Sequence, residues 1–226
     1  MLINGNLHNS IKSNDSELKN FYKFKIILLG DTGVGKTSLL GRYMDEQYFN
    51  NRPCTIFADY KIKSIKIDDL TSADITIWDT CGQEKYRSLT RQFFKDAQGI
   101  ILIFDVSDKN SFSNLNKWLE DIKNNIFKED VSIVLCGNKI DLNRSISFEE
   151  ANNFANNNDL IYCETSSKNG INVESAFEKV TIDIIDRINR KHKFEDEIRK
   201  STFLDPSIKA VRGKERLKEK NELKCC

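Results

Sequence analysis

A glycine-rich segment, residues 30–38, has the composition of a loop that binds phosphate. Residues 30–37 read Gly-Asp-Thr-Gly-Val-Gly-Lys-Thr and fit the pattern G-x-x-x-x-G-K-[ST]. Glycines let the backbone turn tightly, so that several N–H groups converge on phosphate oxygens, while the lysine adds a positive charge and the final hydroxyl can bind Mg²⁺. The predicted phosphate ligands are Thr32, Gly33, Val34, Gly35, Lys36, Thr37 and Ser38. The segment predicts a site for a nucleoside triphosphate.

The simpler interpretation of this segment is a flexible glycine turn with a solvated lysine. The pattern stands, however, between a predicted strand at 24–29 and a predicted helix at 36–44. Phosphate-binding loops of this type require that placement, because the helix N-terminus faces the anion. Position along the chain therefore favours the phosphate site.

A second polar segment, Asn138-Lys139-Ile140-Asp141, follows an apolar run at 131–136. A carboxylate such as that of Asp141 can accept hydrogen bonds from N1–H and the exocyclic amine of guanine. Adenine offers no such pair of donors and would leave the charge unpaired. Alone, an N-K-x-D string is more often a surface turn, but with the phosphate loop upstream it predicts selection of guanine.

Short apolar runs alternate with helical patterns along the chain, which is typical of an α/β fold. Strands are predicted at 24–29, 62–67, 75–78, 100–106, 131–136 and 160–163, and helices at 36–44, 111–126, 147–156 and 173–188. The link between the second and third strands is too short for a crossover helix, so these two strands should form an antiparallel hairpin. Ser147 followed by Glu150 predicts a capping box at the third helix.

The composition predicts one globular domain with two extensions. With 226 residues, 39% hydrophobic and 31% charged, the chain can bury a substantial core. We expect a disordered extension at 1–20, a domain at 21–190 and a flexible tail at 191–226 that ends in a lipidation site. No apolar run approaches the roughly 20 residues of a membrane span, and no signal sequence is present, so we expect a cytosolic chain.

The charge is distributed unevenly. Residues 187–226 hold 13 Lys/Arg and 7 Asp/Glu, a surplus of +6, so with a total of +1 the remainder carries −5. A basic tail suits an anionic membrane; without interleaved aromatic residues or zinc ligands it does not favour nucleic acid. Cys225 and Cys226 close the chain, whereas Cys54, Cys81, Cys136 and Cys163 are dispersed and predicted to be reduced thiols.

The sequence resembles the Rab family of Ras-like small GTPases over residues 24–188 and at its final two residues. The shared nucleotide motifs are the phosphate loop, Thr55, the string Asp79-Thr80-Cys81-Gly82-Gln83-Glu84, the segment 138–141 and Glu164-Thr165-Ser166-Ser167-Lys168. Further likeness lies in residues 75–78, 85–90 and 93–99 and in the Cys-Cys end. The resemblance implies the P-loop small GTPase fold: a six-stranded, mostly parallel sheet with one antiparallel strand and helices on both faces.

The resemblance also implies roles for individual residues. Thr37 and Thr55 would ligate Mg²⁺ with GTP bound, and Asp79 would hold the ion through water. Gln83 would orient the attacking water, with Lys36 as the second catalytic residue, and Gly82 would contact the γ-phosphate. The implied contacts to the base come from Tyr48, Asn138, Lys139, Asp141, Ser166, Ser167 and Lys168.

Three positions depart from the family pattern. Phe57 stands where Rab proteins usually have glycine, Cys81 replaces alanine, and Ser167 replaces alanine. The last two exchange one small residue for another. Phe57 adds an aromatic ring to the segment presented to effectors, so it bears on the choice of partner rather than on nucleotide binding.

The implied function is a switch between GTP and GDP in vesicle trafficking, with slow intrinsic hydrolysis that a GTPase-activating protein accelerates. The implied partners are effectors, an exchange factor, a prenylation escort and a GDP-dissociation inhibitor. Geranylgeranyl groups on Cys225 and Cys226 would hold a monomer at the cytoplasmic face of a membrane, since two lipid chains anchor stably where one does not.

Two other functions remain open at this point. One is an ATP-dependent kinase or transporter ATPase built on the same phosphate loop, which the segment 138–141 disfavours. The other is a GTP-binding module with little or no hydrolysis. Phe57 is the feature that encourages this second alternative, and the presence of Thr37, Thr55 and Gln83 argues against it.

Overall fold

The fold was analysed in a computed structural model, which describes residues 20–45, 55, 58–80, 93–126 and 131–204. The strands are β1 (Asn20–Leu29), β2 (Asp59–Lys66), β3 (Thr71–Asp79), β4 (Gly99–Asp105), β5 (Ser132–Asn138) and β6 (Ile161–Glu164). The described helices are α1 (Lys36–Asp45), α2 (Lys109–Ser113), α3 (Leu115–Asn125), α4 (Phe148–Asn157) and α5 (Val173–Leu204).

The strands form one six-stranded sheet in the order β2-β3-β1-β4-β5-β6. β2 pairs with β3 in antiparallel register, and the other neighbouring pairs are parallel. The predicted mostly parallel sheet with one antiparallel strand is confirmed. The parallel strands all place their carboxyl ends at one edge, where open α/β sheets bind ligands.

Both faces of the sheet are covered by helices, as predicted. Alternate residues of a strand point to opposite faces. Ile26 and Leu28 of β1 pack with α1 and α5, whereas Ile27 and Leu29 of the same strand pack with α3 and α4. Every residue of β4 is buried, because this strand lies in the middle of the sheet with helices on both sides.

The tip of the β2–β3 hairpin is closed by an aspartate. The backbone N–H of Leu70 donates to Asp68 Oδ1 at 2.8 Å, and the N–H of Ile67 donates to the carbonyl of Thr71 at 2.9 Å. The hydrogen bond from Leu70 favours the ionised carboxylate and lowers the pKa of Asp68. The turn forms because the side chain of Asp68 accepts a hydrogen bond from the backbone two residues further along the chain.

Two predicted helices differ from the observed helices by more than one residue at an end. The helix predicted at 111–126 is two helices that meet at Asn114, whose N–H caps α2 and whose carbonyl begins α3. The predicted end of the last helix at 188 is wrong, because α5 continues to Leu204. Apolar periodicity fades after residue 188, but no glycine or proline occurs before Pro206, and Lys, Arg and Glu favour a helix.

Three further predictions concern the N-cap of α4, membrane-spanning helices and the bounds of the domain. Ser147 Oγ accepts from the N–H of Glu150 at 3.1 Å, which confirms the predicted N-cap of α4. No helix in the described ranges is both long enough and apolar enough to cross a membrane. The division of the chain at residues 20 and 190 stays a prediction.

Candidate nucleotide site

The phosphate loop connects the end of β1 to the start of α1, and two of its glycines could not carry a side chain. Gly30 has φ +139°, and a Cβ there would lie 2.1 Å from the carbonyl oxygen of Ile103. Gly35 has φ +101°, and its Cβ would lie 2.4 Å from Asn138 Nδ2. The loop therefore approaches β4 and β5 more closely than any other residue would permit.

Lys36 lies folded over the loop. Its Nζ donates to the carbonyl oxygens of Gly30 and Asp31, both at 2.8 Å, and the side chain is buried. Thr32 and Gly33 are exposed at the tip, whereas Val34 is buried beneath it. The loop thus holds a buried ammonium group beside an exposed arc of backbone, which is the arrangement that a polyphosphate needs.

Three predicted metal ligands converge although they come from three separate segments. Thr37 Oγ1 donates to Asp79 Oδ2 at 2.6 Å and lies 2.7 Å from Thr55 Oγ1. Asp79 ends β3 and is buried. Mg²⁺ in proteins takes oxygen ligands, usually one or two carboxylates completed by waters and substrate phosphates. Two hydroxyls and one carboxylate form such a set, so these residues fit a magnesium ion.

Asn138 is the junction between the two predicted ligand segments. Its Nδ2 donates to the carbonyl of Val34 at 2.9 Å. Its Oδ1 accepts from Ser167 N at 3.2 Å, Ser167 Oγ at 3.1 Å and Thr165 Oγ1 at 3.1 Å. The side chain is buried, so it holds the phosphate loop and the 164–168 segment together from below.

Asp141 stands at the predicted position of the base. Ser166 Oγ donates to Asp141 Oδ1 at 2.6 Å and accepts from Asn169 N at 3.0 Å. This pair of bonds orients the carboxylate while engaging one of its two oxygens. A partly exposed, oriented carboxylate is the acceptor that the two donors of guanine require.

Lys139 and Lys168 are placed by contacts that the sequence did not indicate. Lys139 has φ +66°, and its Nζ lies 2.7 Å from Asp105 Oδ2 at the end of β4. Asp105 Oδ1 accepts from Ser107 N at 2.8 Å and Oγ at 2.6 Å, so the ion pair is anchored. Arg42 of α1 donates to the carbonyls of Ser167 at 3.0 Å and Lys168 at 2.6 Å.

A buried thiol supports this network from the sheet. Cys136 Sγ lies 3.2 Å from Thr165 Oγ1, and Cys136 is paired with Cys163 across β5 and β6. The hydrogen bond with Cys163 and complete burial raise the pKa of the Cys136 thiol. Both cysteines are free, which confirms the predicted thiols at these two positions. Cys54 and Cys81 lie outside the described residues.

The residues that form this site lie within a stretch of sequence that matches a known protein family. A model of the Ras family matches residues 25–186, which include every described residue of the site. The chain belongs to the Ras family. Its resemblance to Rab proteins is confirmed as well, and membership in the family implies binding of guanine nucleotide.

Several Rab proteins are similar to this Ras-family protein. It is 41% identical to Ras-related protein RABD2a of Arabidopsis thaliana over 74% of the chain and 82% of the relative. It is 42% identical to Ras-related protein Rab-1 of Theileria parva, over 75% and 77%. It is 41% identical to Ras-related protein Rab-2B of Dictyostelium discoideum, over 73% and 82%. The chain is therefore a Ras-family small GTPase related to Rab proteins.

Beside the site, the Ras-family protein presents an aromatic row that sequence reasoning did not single out. The ring centroids of Tyr60 and Trp78 lie 5.0 Å apart, and those of Trp78 and Phe93 lie 5.2 Å apart. Tyr60 is 52% exposed on the edge strand. Tyr60 pairs with Trp78 because β2 begins at Asp59, whereas the predicted strand began at residue 62 and left Tyr60 out of the hairpin.

Five predicted functional residues lie outside the described residues: Tyr48, Gly82, Gln83, Cys225 and Cys226. Phe57 lies outside them too. The roles given to these residues stay predictions. The described part of the site comprises the phosphate loop, the set Thr37, Thr55 and Asp79, and the segments that would hold the base.

Proposed function

We propose that this protein is a Rab-like molecular switch in vesicle trafficking, which binds GTP with Mg²⁺, hydrolyses it to GDP and recruits effectors when GTP is bound. The observation that carries the proposal is Asn138, which joins the phosphate loop to the base segment through Val34 and Ser167. This buried amide fixes the spacing of the two segments that one nucleotide would span. The similarity to Rab proteins supports the cellular role.

The phosphate end of the site would bind the triphosphate and its metal. Backbone N–H groups of the exposed loop would face the phosphates, and Lys36 would add its charge. Thr37, Thr55 and Asp79 would hold Mg²⁺, which when bound neutralises charge on the β- and γ-phosphates. Since Thr55 belongs to a different segment from Thr37, loss of the γ-phosphate would remove a reason for the two segments to stay together.

Hydrolysis would depend on Gln83, which follows Asp79 by four residues and would orient the attacking water. Its side chain amide can accept from water and donate towards the γ-phosphate. The segment around Thr55 contains no arginine with an evident role in completing the site, although Arg52 lies nearby in the sequence. The proposal therefore includes slow intrinsic turnover and acceleration by a GTPase-activating protein that supplies the missing charge.

Partner recruitment would use the surface that borders Thr55 and Asp79. Tyr60, Trp78 and Phe93 lie in one row there, and Trp78 directly precedes Asp79. Tyr60 is exposed, whereas Trp78 and Phe93 are partly buried against the core. Aromatic residues at a surface are common anchors at protein interfaces. This surface, together with the segments that contain Thr55 and Gln83, would be bound by effectors, by an exchange factor and by a GTPase-activating protein.

Attachment to a membrane would use the C-terminal cysteines. Two geranylgeranyl groups on Cys225 and Cys226 would anchor the chain more stably than one, and basic residues at 214, 216, 218, 220 and 224 would add attraction to anionic lipid. An escort protein and a GDP-dissociation inhibitor would present and extract the lipidated chain, at the cytoplasmic face of a membrane.

The first test is the identity of the nucleotide. Full-length protein is purified, denatured, and its released nucleotide identified by chromatography; competition with GTP and ATP then measures base selection. We expect bound GDP that GTP displaces and ATP does not. Displacement by ATP as efficient as that by GTP would contradict the proposed function and favour an ATPase.

The second test separates a switch from a binding module. Single-turnover hydrolysis of GTP is compared in the parent, Gln83→Leu and the control Gln92→Leu, with Mg²⁺ and with EDTA. We expect hydrolysis in the parent and control, a rate lower by about 10-fold or more in Gln83→Leu, and faster GDP release in EDTA. Tight binding of GTP with no hydrolysis in the parent would establish the binding module instead.

A further inference from the structure

The carboxylate of Asp31, the second residue of the phosphate loop, is held by side chains from the α2–α3 junction. Trp118 Nε1 donates to Asp31 Oδ1 at 2.8 Å, and Asn114 Nδ2 donates to Asp31 Oδ2 at 2.7 Å. Each carboxylate oxygen thus receives a hydrogen bond from a residue more than 80 positions away along the chain. We call these three residues the Asp31 clasp.

The donors of the clasp are fixed before they reach Asp31. Trp118 is buried in the core cluster that α3 forms against the sheet. Asn114 joins α2 to α3: its N–H donates to the carbonyl of Asn110, and its carbonyl accepts from the N–H of Trp118 at 3.2 Å. Lys117 Nζ donates to Asn114 Oδ1 at 3.0 Å, which turns the NH₂ group of Asn114 towards Asp31.

The backbone of Asp31 contacts Lys36, the predicted phosphate-binding lysine. The carbonyl oxygen of Asp31 accepts from Lys36 Nζ at 2.8 Å, beside the bond that Lys36 makes to Gly30. Holding the side chain of Asp31 therefore restrains the peptide that positions the lysine. A buried indole is a rigid donor, and a hydrogen bond to a charged acceptor is stronger than one between neutral groups.

The charge of Asp31 gives the clasp a second effect. A free carboxylate in a loop that binds a polyphosphate would repel its ligand, because like charges at short range in a partly buried site interact strongly. The two donors turn the carboxylate towards α3 and compensate its charge there. Without them, the carboxylate could rotate towards the phosphates, and the loop would lose these hydrogen bonds to the α2–α3 junction.

We propose that Asn114 and Trp118 are positioning residues of the nucleotide site, which act through Asp31 to keep the phosphate loop closed and slow the release of GDP. This inference rests on the proposed function and assigns to two residues of the α2–α3 junction an effect on the rate of GDP release. It predicts that displacement of α3 from the loop would open the site without any contact to the nucleotide.

The experiment is a double-mutant cycle on the rate of GDP release. The rate is measured as the fall in fluorescence when methylanthraniloyl-GDP dissociates from full-length protein. We expect Asp31→Ala and Trp118→Phe each to accelerate release by about tenfold, since the first removes the charged acceptor and the second removes one hydrogen bond to it. In the Asp31→Ala background, Trp118→Phe should add less than about a twofold change, because its acceptor is already absent.

Two further variants separate positioning from a general loss of stability. Asp31→Asn keeps an acceptor oxygen for Trp118 but presents an NH₂ group to Asn114, so it should release GDP faster than the parent and more slowly than Asp31→Ala. Thr181→Val removes a buried hydroxyl from α5, where Thr181 donates to the carbonyl of Phe177, and should leave release unchanged even if the melting temperature falls. For a similar fall in melting temperature, Trp118→Phe should accelerate GDP release more than Thr181→Val does.

The outcomes discriminate between the clasp and the proposed function. If Trp118→Phe accelerates release equally in the parent and in Asp31→Ala, the indole acts through the core and the clasp is wrong. Unchanged release in Asp31→Ala would also overturn it, while leaving GTP binding intact. A parent chain that takes up no methylanthraniloyl-GDP would contradict the proposed function itself, and the role of the clasp with it.

Discussion

Asn138 Nδ2 donates to the carbonyl oxygen of Val34 at 2.9 Å, so a side chain at the end of β5 bonds to the backbone of the phosphate loop. The two residues are 104 positions apart. This bond joins the two halves of the site through protein atoms alone. It makes Asn138 a structural element of the phosphate loop as well as of the base segment.

Replacing Asn138 should therefore loosen both halves together. In Asn138→Ala the carbonyl of Val34 and the donors of Ser167 and Thr165 lose their buried partner, at about 1–3 kcal/mol for each unsatisfied group. We expect GDP release to accelerate at least 10-fold. Asn158→Ala, which removes an amide bonded to Phe154 at the end of α4, is the matched control. Equal release rates in the two variants would contradict the bridging role.

Replacing Asp141 should change which base is accepted. Asp141→Asn keeps an oxygen for Ser166 but exchanges an acceptor for a donor, so the amine of guanine would face an N–H group. Xanthine has an oxygen at that position and would be accepted. We expect affinity for GDP to fall about 100-fold and affinity for xanthosine diphosphate to rise, measured by competition against a fluorescent nucleotide.

The control for Asp141→Asn is Asp159→Asn, at an exposed turn that follows α4. It makes the same chemical change away from the site and should leave both affinities as they are. If Asp141→Asn preferred GDP over xanthosine diphosphate as strongly as the parent does, Asp141 would not be the residue that selects the base.

Two glycines of the phosphate loop should differ in their tolerance of alanine. Gly33 has φ +82° and open space around its Cβ position, so Gly33→Ala should cost about 1–2 kcal/mol of unfolding free energy from backbone strain alone. Gly35→Ala adds a clash with Asn138 Nδ2 and should cost more. Chemical denaturation of nucleotide-free protein measures the difference. A larger loss in Gly33→Ala would show that the close approach to Asn138 is not rigid.

Stability at alkaline pH should report on Tyr43. Its ring stacks on Phe177 at a centroid distance of 3.9 Å, and burial together with Glu174 and Glu178 raises the pKa of Tyr43 to about 12. Because the folded protein favours the protonated phenol, this stabilisation is complete below the ordinary pKa of 10. It is lost as the pH rises from 10 to about 12.

Tyr43→Phe keeps the stacked ring and removes the ionisable group, so its unfolding free energy should fall less steeply between pH 10 and 12. Urea denaturation at a series of pH values measures both slopes. Lys63, whose Nζ lies 3.7 Å from the ring centroid of Tyr43, is present in both proteins, so the difference isolates the phenol. Parallel slopes would show that the phenol ionises as freely in the folded state as in the unfolded chain.

Local features of the chain were predictable because neighbouring residues create them. The glycines of the phosphate loop, the short link between β2 and β3 and the serine cap of α4 each act within a few residues. The break at Asn114 was not predictable from apolar spacing, because the pattern continues across it and a backbone hydrogen bond makes the division. The length of α5 was missed because charge, unlike proline, does not end a helix.

The sequence by itself determined the layered α/β fold, the phosphate loop and the family to which the protein belongs, since strand and helix periodicities and a contiguous motif are properties of short stretches of chain. Only the tertiary structure decided that Asn138 holds Val34, that Asp105 holds Lys139 and that Trp118 holds Asp31. Each of these contacts joins residues far apart along the chain. Their distances depend on how strands are ordered in the sheet and which helix covers which face, and no short stretch contains that information.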